Sequence, residues 1–395
     1  MTLLRDSSDL KAFCDRLVGA PFVAVDTEFM RERTFWPKLC LVQLAGPEED
    51  EVAAVDALVP DLDLGPLFRL MNAPETVKVF HAGRQDLEIF FHLTGRLPAP
   101  VFDSQVAAMV LGFGDQVGYE TLAAQVVKAR IDKGSRFSDW TLRPLSEKQI
   151  AYALGDVTHL RAIYRKLSAD LERSGRAAWV AEEMAALTAI ESYRNDPNEA
   201  WRKLKVRGGR SRFLAVLREV AAWREREAQA RDVPRAWILR DEAVLEIAHT
   251  APRSTADLAR TRGLARKWAE GELGEGVLAA VAAGLAVPDA ECPVLEERRE
   301  LPRGAAPVAE LLKVLLKMKC EAEKVATRLV ASADDIDRIA ALGPAADVPA
   351  LSGWRRRVFG EDALKLHAGE LVLTVRNRQL VLIPNPTVAG AATAE

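Results

Sequence analysis

Four short β-rich runs crowd between residues 22 and 82: FVAVDTEF from Phe22, LCLVQLA from Leu39, EVAAVDAL from Glu51 and VKVFHA from Val77. Charged or Pro/Gly turns separate them, as the strands of one sheet require. After His81 the apolar spacing changes to helical period, in GRQDLEIFFHL, FDSQVAAMVLG, YETLAAQVV and the long stretch from Leu145 to about Arg173. Strands first, with helices interleaved afterwards, predict a layered α/β domain over residues 1–195.

The chain is too long for that domain alone. Its 395 residues suggest two or three domains, and 49% hydrophobic with 28% charged residues argues against long disorder or a fibrous architecture. A net charge of −3 argues against a uniformly basic nucleic-acid coat. Charge is uneven, however: residues 1–195 hold 22 basic and 28 acidic side chains, residues 196–290 hold 17 and 14, and residues 291–395 hold 15 and 15. Within the basic middle, WRKLKVRGGRSR from Trp201 has six basic residues, no acid and a Gly208-Gly209 hinge. That composition reads as a linker over residues 196–209. An all-α domain is expected over 210–290, where Leu214, Leu217, Val220 and Ala221 recur at helical spacing before Pro234 and shorter helical pieces follow. Residues 291–395 repeat the plan loosely, with a Ser332-x-x-Asp335 helix start and a tail, ELVLTVRNRQLVLIP, that reads as a hairpin turning at Arg376-Asn377-Arg378. Four scattered cysteines, no basic-then-apolar leader and no apolar run of membrane-spanning length suggest a cytoplasmic protein without a membrane segment. Nothing in the plan requires a partner subunit, so a monomer is expected.

Function concentrates in a few carboxylates. Asp26 and Glu28 are two apart in an otherwise apolar strand, which puts both on one face. Burying two adjacent negative charges is costly unless a cation compensates them; the bland alternative is a turn in which both are exposed. Asp86 sits five residues after His81, where a strand gives way to a helix. Alone it reads equally as a first-turn acid favouring the helix dipole. Tyr152 and Asp156 are four apart on one helical face, which alone is also compatible with a packing tyrosine beside a solvated aspartate.

In that order, Asp-x-Glu, Asp and Tyr-x-x-x-Asp, these residues resemble the three exonuclease motifs of the DEDD superfamily in its tyrosine subclass. The flanks DTEFMRERTFWPKLCLVQLA, VFHAGRQDLEIF, FDSQVAA and SDWTLRPLSEKQIAYALGDVTHL are similar to the ribonuclease D family, over most of residues 1 to about 190. LAVLREVAAWREREAQARDVPRAWILRDEAV resembles an HRDC domain, and residues 291–395 resemble more weakly a second, diverged one. The resemblance implies an RNase H-like mixed sheet followed by two all-α HRDC-type domains, and hydrolysis of RNA from its 3′ end. It implies two divalent ions, Mg²⁺ or Mn²⁺ by the hardness of the oxygen donors, held by Asp26, Glu28, Asp86 and Asp156, with Tyr152 aiming the attacking water. Precursor tRNAs or other stable RNAs are the implied partners. For RNA contacts we consider Arg136, Arg143, Lys203, Lys205 and Arg207 for phosphates, and Phe29, Phe35 and Trp140 for bases; each aromatic reads equally as core. Two other readings share these residues: a 3′-to-5′ DNA exonuclease, and an HRDC-type binding protein whose nuclease is silent.

Overall fold

In the computed structural model, which describes residues 2–131, 134, 138–206, 208–295 and 302–386, the four apolar runs become β2 (Phe22–Met30), β3 (Lys38–Ala45), β4 (Val52–Asp56) and β5 (Val77–Phe80). Two tripeptide strands, β1 (Thr2–Leu4) and β6 (Val101–Asp103), complete a sheet of order β1-β4-β3-β2-β5-β6. Only β3 runs against its neighbours, so the sheet is mixed. Three residues are too few for a period of two to register in a sequence, which is why the sheet's outer members went unread.

β2, the strand with the acids, lies between β3 and β5 and is covered on both faces. Val23 and Val25 pack with Leu87, Ile89 and Phe90 of one layer, whereas Phe22 and Ala24 pack with Val157 and Leu160 of the other. The helices of this part are α1 (Ser7–Leu17), α2 (Gly65–Met71), α3 (Arg84–Thr94), α4 (Ser104–Val110), α5 (Tyr119–Val126), α6 (Glu147–Ser174) and α7 (Ala177–Leu187). α6 has well-defined ends. Ser146 and Gln149 form a capping box at its start, and Gly175 ends it in the left-handed region at φ 68°.

A helical region follows: α8 (Ser211–Ala230), α9 (Arg235–Ile238), α10 (Asp241–Thr250), α11 (Thr255–Leu258), α12 (Arg266–Ala269) and α13 (Glu272–Ala286). α8 and α13 approach closely at Gly284, where an added Cβ would lie 2.5 Å from Val216 Cα. The basic stretch expected as a linker is not a free tether. Pro197–Lys203 forms a 3₁₀ turn, and Trp201 and Leu204 are buried in the core of the helical region beside Leu214 and Leu217. Apolar side chains between the charges, not the charges, decide how this segment is held.

Farther on come α14 (Ala305–Glu323), α15 (Thr327–Val330) and α16 (Ala333–Leu342), the last opened by the expected Ser332/Asp335 capping box. The tail forms the hairpin β7 (Leu371–Arg376) and β8 (Gln379–Pro384), with Asn377 and Arg378 at positive φ, as a two-residue turn between antiparallel strands requires. Trp354 stacks on Trp179 of α7 at 4.4 Å and 9°, and the Ala326 N–H donates to the Met109 carbonyl at 2.9 Å, so this part docks on the sheet domain. Among the described residues no helix is long and apolar enough to cross a membrane.

Candidate active site

Asp26 and Glu28 stand on the face of β2 that α6 covers, and Tyr152 and Asp156 lie one turn apart on α6. The β2–β3 register shifts between Glu28 and Phe29. Such bulges re-aim a side chain and are common beside active sites. One oxygen from each of Asp26, Glu28 and Asp156 lies within 4.8 Å of the other two. Asp86 reaches the site from the other layer. It is in the first turn of α3, it is buried, and it accepts a hydrogen bond from Oγ1 of Thr27, the residue between the two strand acids. It is outside the three-oxygen group but close enough to Asp26 for that charge to act on it.

These acids resist ionisation. Burial is the largest cause in every case, and like charge adds to it at Asp26, Glu28 and Asp86. Glu28 is pushed up to about 9, with Asp26, Asp156 and Asp86 all contributing. Asp26 is raised by burial and by Asp156, and Asp86 is raised well above the carboxylate range by burial and by Asp26. Burial also raises Asp156, against the lowering effect of a hydrogen bond from the Tyr152 hydroxyl. Carboxylates this crowded hold protons unless a cation takes their place. Their hard oxygen donors fit an ion of the Mg²⁺, Mn²⁺ or Ca²⁺ type rather than a thiophilic one. The cluster is thus a candidate metal centre.

A cleft of about 360 Å³ opens over the cluster. Its far wall includes Tyr119, whose hydroxyl donates to the Asp156 backbone carbonyl, and His81, whose ring meets that of Tyr119 edge-on at 5.3 Å. His81 Nδ1 lies 2.9 Å from Ser104 Oγ, and burial lowers its pKa. The sequence reading missed Thr27 and Tyr119 and used His81 merely as a landmark. Nothing in the spacing of Tyr119 shows that it reaches α6, whereas Thr27 was open to inference as the one side chain of the DTE triplet facing the other layer. A hollow of about 440 Å³ in the helical region, lined in part by Glu246, Arg253, Asp257 and Arg260, is of comparable size, but among the described residues the group of convergent acids found lies in the first cleft. Chemistry rather than size selects the site.

The residues considered for RNA fare differently. Trp140 is 5% exposed and stacks on Tyr152 at 6.3 Å and 29°, so it backs the tyrosine instead of meeting a base. Arg143 is also corrected. Its guanidinium clamps buried Asp56, with Nη2 to Oδ1 at 2.6 Å, and donates to the carbonyls of Cys40, Trp140 and Leu142, so its donors are turned inward. Phe29 is half-buried against the sheet core, and Phe35 is buried in the core of the helical region. Lys203 and Lys205 are exposed, with Lys203 Nζ 3.4 Å from Asn195 Oδ1. Arg136 and Arg207 lie outside the described residues.

Residues 1–172 match a 3′-5′ exonuclease family and residues 213–281 the HRDC domain family. A ribonuclease D of Gluconacetobacter diazotrophicus is 54% identical over 382 residues, covering 97% of this chain and 96% of that one. Another, of Granulibacter bethesdensis, is 51% identical over 385 residues, with 97% and 96% covered. Among solved structures, Escherichia coli RNase D, described as an exoribonuclease involved in structured RNA processing, aligns with a TM-score of 0.80 at 29% identity, covering 92% of this chain and 98% of that one.

Proposed function

We propose that this chain, which belongs to the ribonuclease D family of 3′-to-5′ exoribonucleases, releases nucleoside 5′-monophosphates from RNA 3′ ends by a two-metal mechanism at the cluster described above. The observation that carries the reading is the convergence of Asp26, Glu28 and Asp156 within 4.8 Å under a helix that also presents Tyr152. Asp26, Glu28 and Asp156 would hold one divalent ion, and Asp26 with Asp86 a second. Bound there, Mg²⁺ or Mn²⁺ supplies a nucleophilic water at neutral pH and charge stabilisation for the phosphoryl and leaving oxygens.

The chain's own groups do the positioning. Thr27 fixes the Asp86 carboxylate, Tyr119 holds the α6 backbone at Asp156, and Tyr152 is kept beside the Asp156 carboxylate. Its hydroxyl, within reach of the Asp156 carboxylate, suits Tyr152 to aiming a water by hydrogen bonding, with Trp140 packed behind its ring. Lys203 and Lys205, with Arg207 and Arg136, are our candidates for phosphate contact, and half-buried Phe29 for a terminal base.

Separate apolar cores for the sheet part, the helical region and the last part support a division into a catalytic part at 1–195, an HRDC domain at 210–290 and a second, diverged HRDC-like domain at 291–395, with 196–209 as a docked connector. The Escherichia coli relative described as acting in structured RNA processing supports stable RNAs such as tRNA precursors as substrates, and we take the enzyme to be a monomer. Four free, buried cysteines support a reducing, cytoplasmic setting. The test is mononucleotide release from uniformly labelled RNA and from DNA of the same sequence, with Mg²⁺, Mn²⁺ or EDTA. Metal-dependent release from RNA in preference to DNA is expected. Equal rates would make it a general 3′ exonuclease, and no release with either metal would leave a binding protein.

A further inference from the structure

The segment that leaves the catalytic strand does not return to its own domain's core. β2 ends at Met30, two residues beyond Glu28, and residues 31–37 then run into the helical region. Phe35 is 7% exposed and belongs to the core that contains Leu217, Val220 and Ile238, not to the sheet core. The Arg235 guanidinium lies 4.4 Å from the centre of its ring and is held in turn by buried Glu225. Asp232, just past α8, accepts hydrogen bonds through one oxygen from two consecutive backbone N–H groups of the segment, Phe35 at 3.1 Å and Trp36 at 3.0 Å. Asp232 itself sits at φ 48°, a left-handed conformation that favours Gly, Asn and Asp.

The same segment is tied to α3, the helix that carries Asp86. Arg31 pairs with Glu88 at 2.8 Å, and Trp36 stacks face to face on His92 at 4.2 Å and 9°. One strap therefore joins the strand with Asp26 and Glu28, the helix with Asp86 and the core of the helical region. It begins just past the β2–β3 register shift between Glu28 and Phe29, after the last two ladder pairs, Phe29 with Leu39 and Met30 with Lys38.

We infer that the helical region is a positioning element for the catalytic acids, acting through Asp232 and Phe35 on residues 31–37, in addition to any contact it makes with RNA. The inference rests on the exonuclease reading above for its kinetic arm and on the acid cluster alone for its metal-binding arm.

The full-length chain is tested as wild type, Asp232→Gly, Asp232→Asn and Phe35→Leu. Gly keeps the left-handed backbone without strain and removes the acceptor; Asn keeps both the conformation and an acceptor oxygen. Mn²⁺ affinity is measured by calorimetry, and kcat and KM by mononucleotide release at saturating Mn²⁺, with circular dichroism confirming the fold. Asp232→Gly is expected to weaken Mn²⁺ binding about fivefold and to lower kcat about tenfold with KM within twofold of wild type. Asp232→Asn should restore both, and Phe35→Leu should move both in the direction of Asp232→Gly by a smaller factor. Wild-type Mn²⁺ affinity and kcat in Asp232→Gly, or a change confined to KM, would overturn the inference, since either assigns the contact to joining domains or to holding RNA. If Asp232→Gly fails to fold, unaltered Mn²⁺ affinity in folded Phe35→Leu overturns it equally. A wild-type chain that binds Mn²⁺ but releases no mononucleotide defeats the exonuclease reading instead and leaves the calorimetric comparison intact.

Discussion

Asp156 is held at three points: its carboxylate meets Asp26 and Glu28, accepts from Tyr152, and its own backbone carbonyl accepts from Tyr119. Replacing it with Asn keeps the shape and removes a charge. Hydrolysis should fall on the order of a thousandfold, since losing about 4 kcal/mol of transition-state stabilisation costs that much. Metal-free stability should rise, because one of three crowded acids is gone. Single-turnover rates and thermal melts in EDTA check the two halves; full Mn²⁺-dependent turnover would remove Asp156 from the site. Tyr152→Phe should lower kcat by about ten- to a hundredfold while leaving metal-induced stabilisation unchanged, because Phe keeps the packing on Trp140. Asp26, Glu28, Tyr152 and Asp156 were legible because each pair lies within one period of its element. Asp86 was legible only from its place between a strand and a helix, and its partner Thr27 only from the alternation of β2, which turns it to the other layer.

Arg143 marks the limit of that legibility at the scale of elements. As a sequence feature it was a basic residue near a presumed RNA path, but its partner Asp56 stands 87 positions earlier at the end of β4. No local periodicity links them. The pair closes the segment that precedes α6 onto the sheet, with Asp56 only 1% exposed. Arg143→Ala would leave that carboxylate buried with, among the described residues, the more distant Arg5, at 3.8 Å, as its ion-pair partner. Breaking such a pair costs about 3–5 kcal/mol, and urea unfolding in EDTA should show a loss at the lower end of that range with KM for RNA unaltered. Unchanged stability with a raised KM would return Arg143 to the RNA-contact role. The same lesson applies to Phe35, whose spacing reads equally as surface stacking or core; what no spacing reveals is that its core belongs to another part of the chain.

Across the whole molecule, the strained acid cluster makes stability depend on pH and metal together. Glu28, pushed up to about 9, keeps in the folded state a proton that the unfolded chain releases near the ordinary glutamate value of about 4.3. Between those limits the folded state binds more protons, so stability falls as pH rises and the contribution is lost above about 9. Asp26, Asp86 and Asp156 are raised too and act in the same sense. Buried Lys78, lowered to about 8, acts in the opposite sense above that pH. Metal competes with the protons of the acids and leaves Lys78 untouched, so subtracting melts in EDTA from melts in Mn²⁺ isolates the cluster. The melting temperature in EDTA should decline from pH 6 to pH 9, and the Mn²⁺-induced increase should widen over the same interval. Glu28→Gln and Asp156→Asn should each flatten that widening. An increase that stays constant from pH 6 to pH 9 would mean that the four acids are already ionised without metal, and the electrostatic basis for placing cations there would fail.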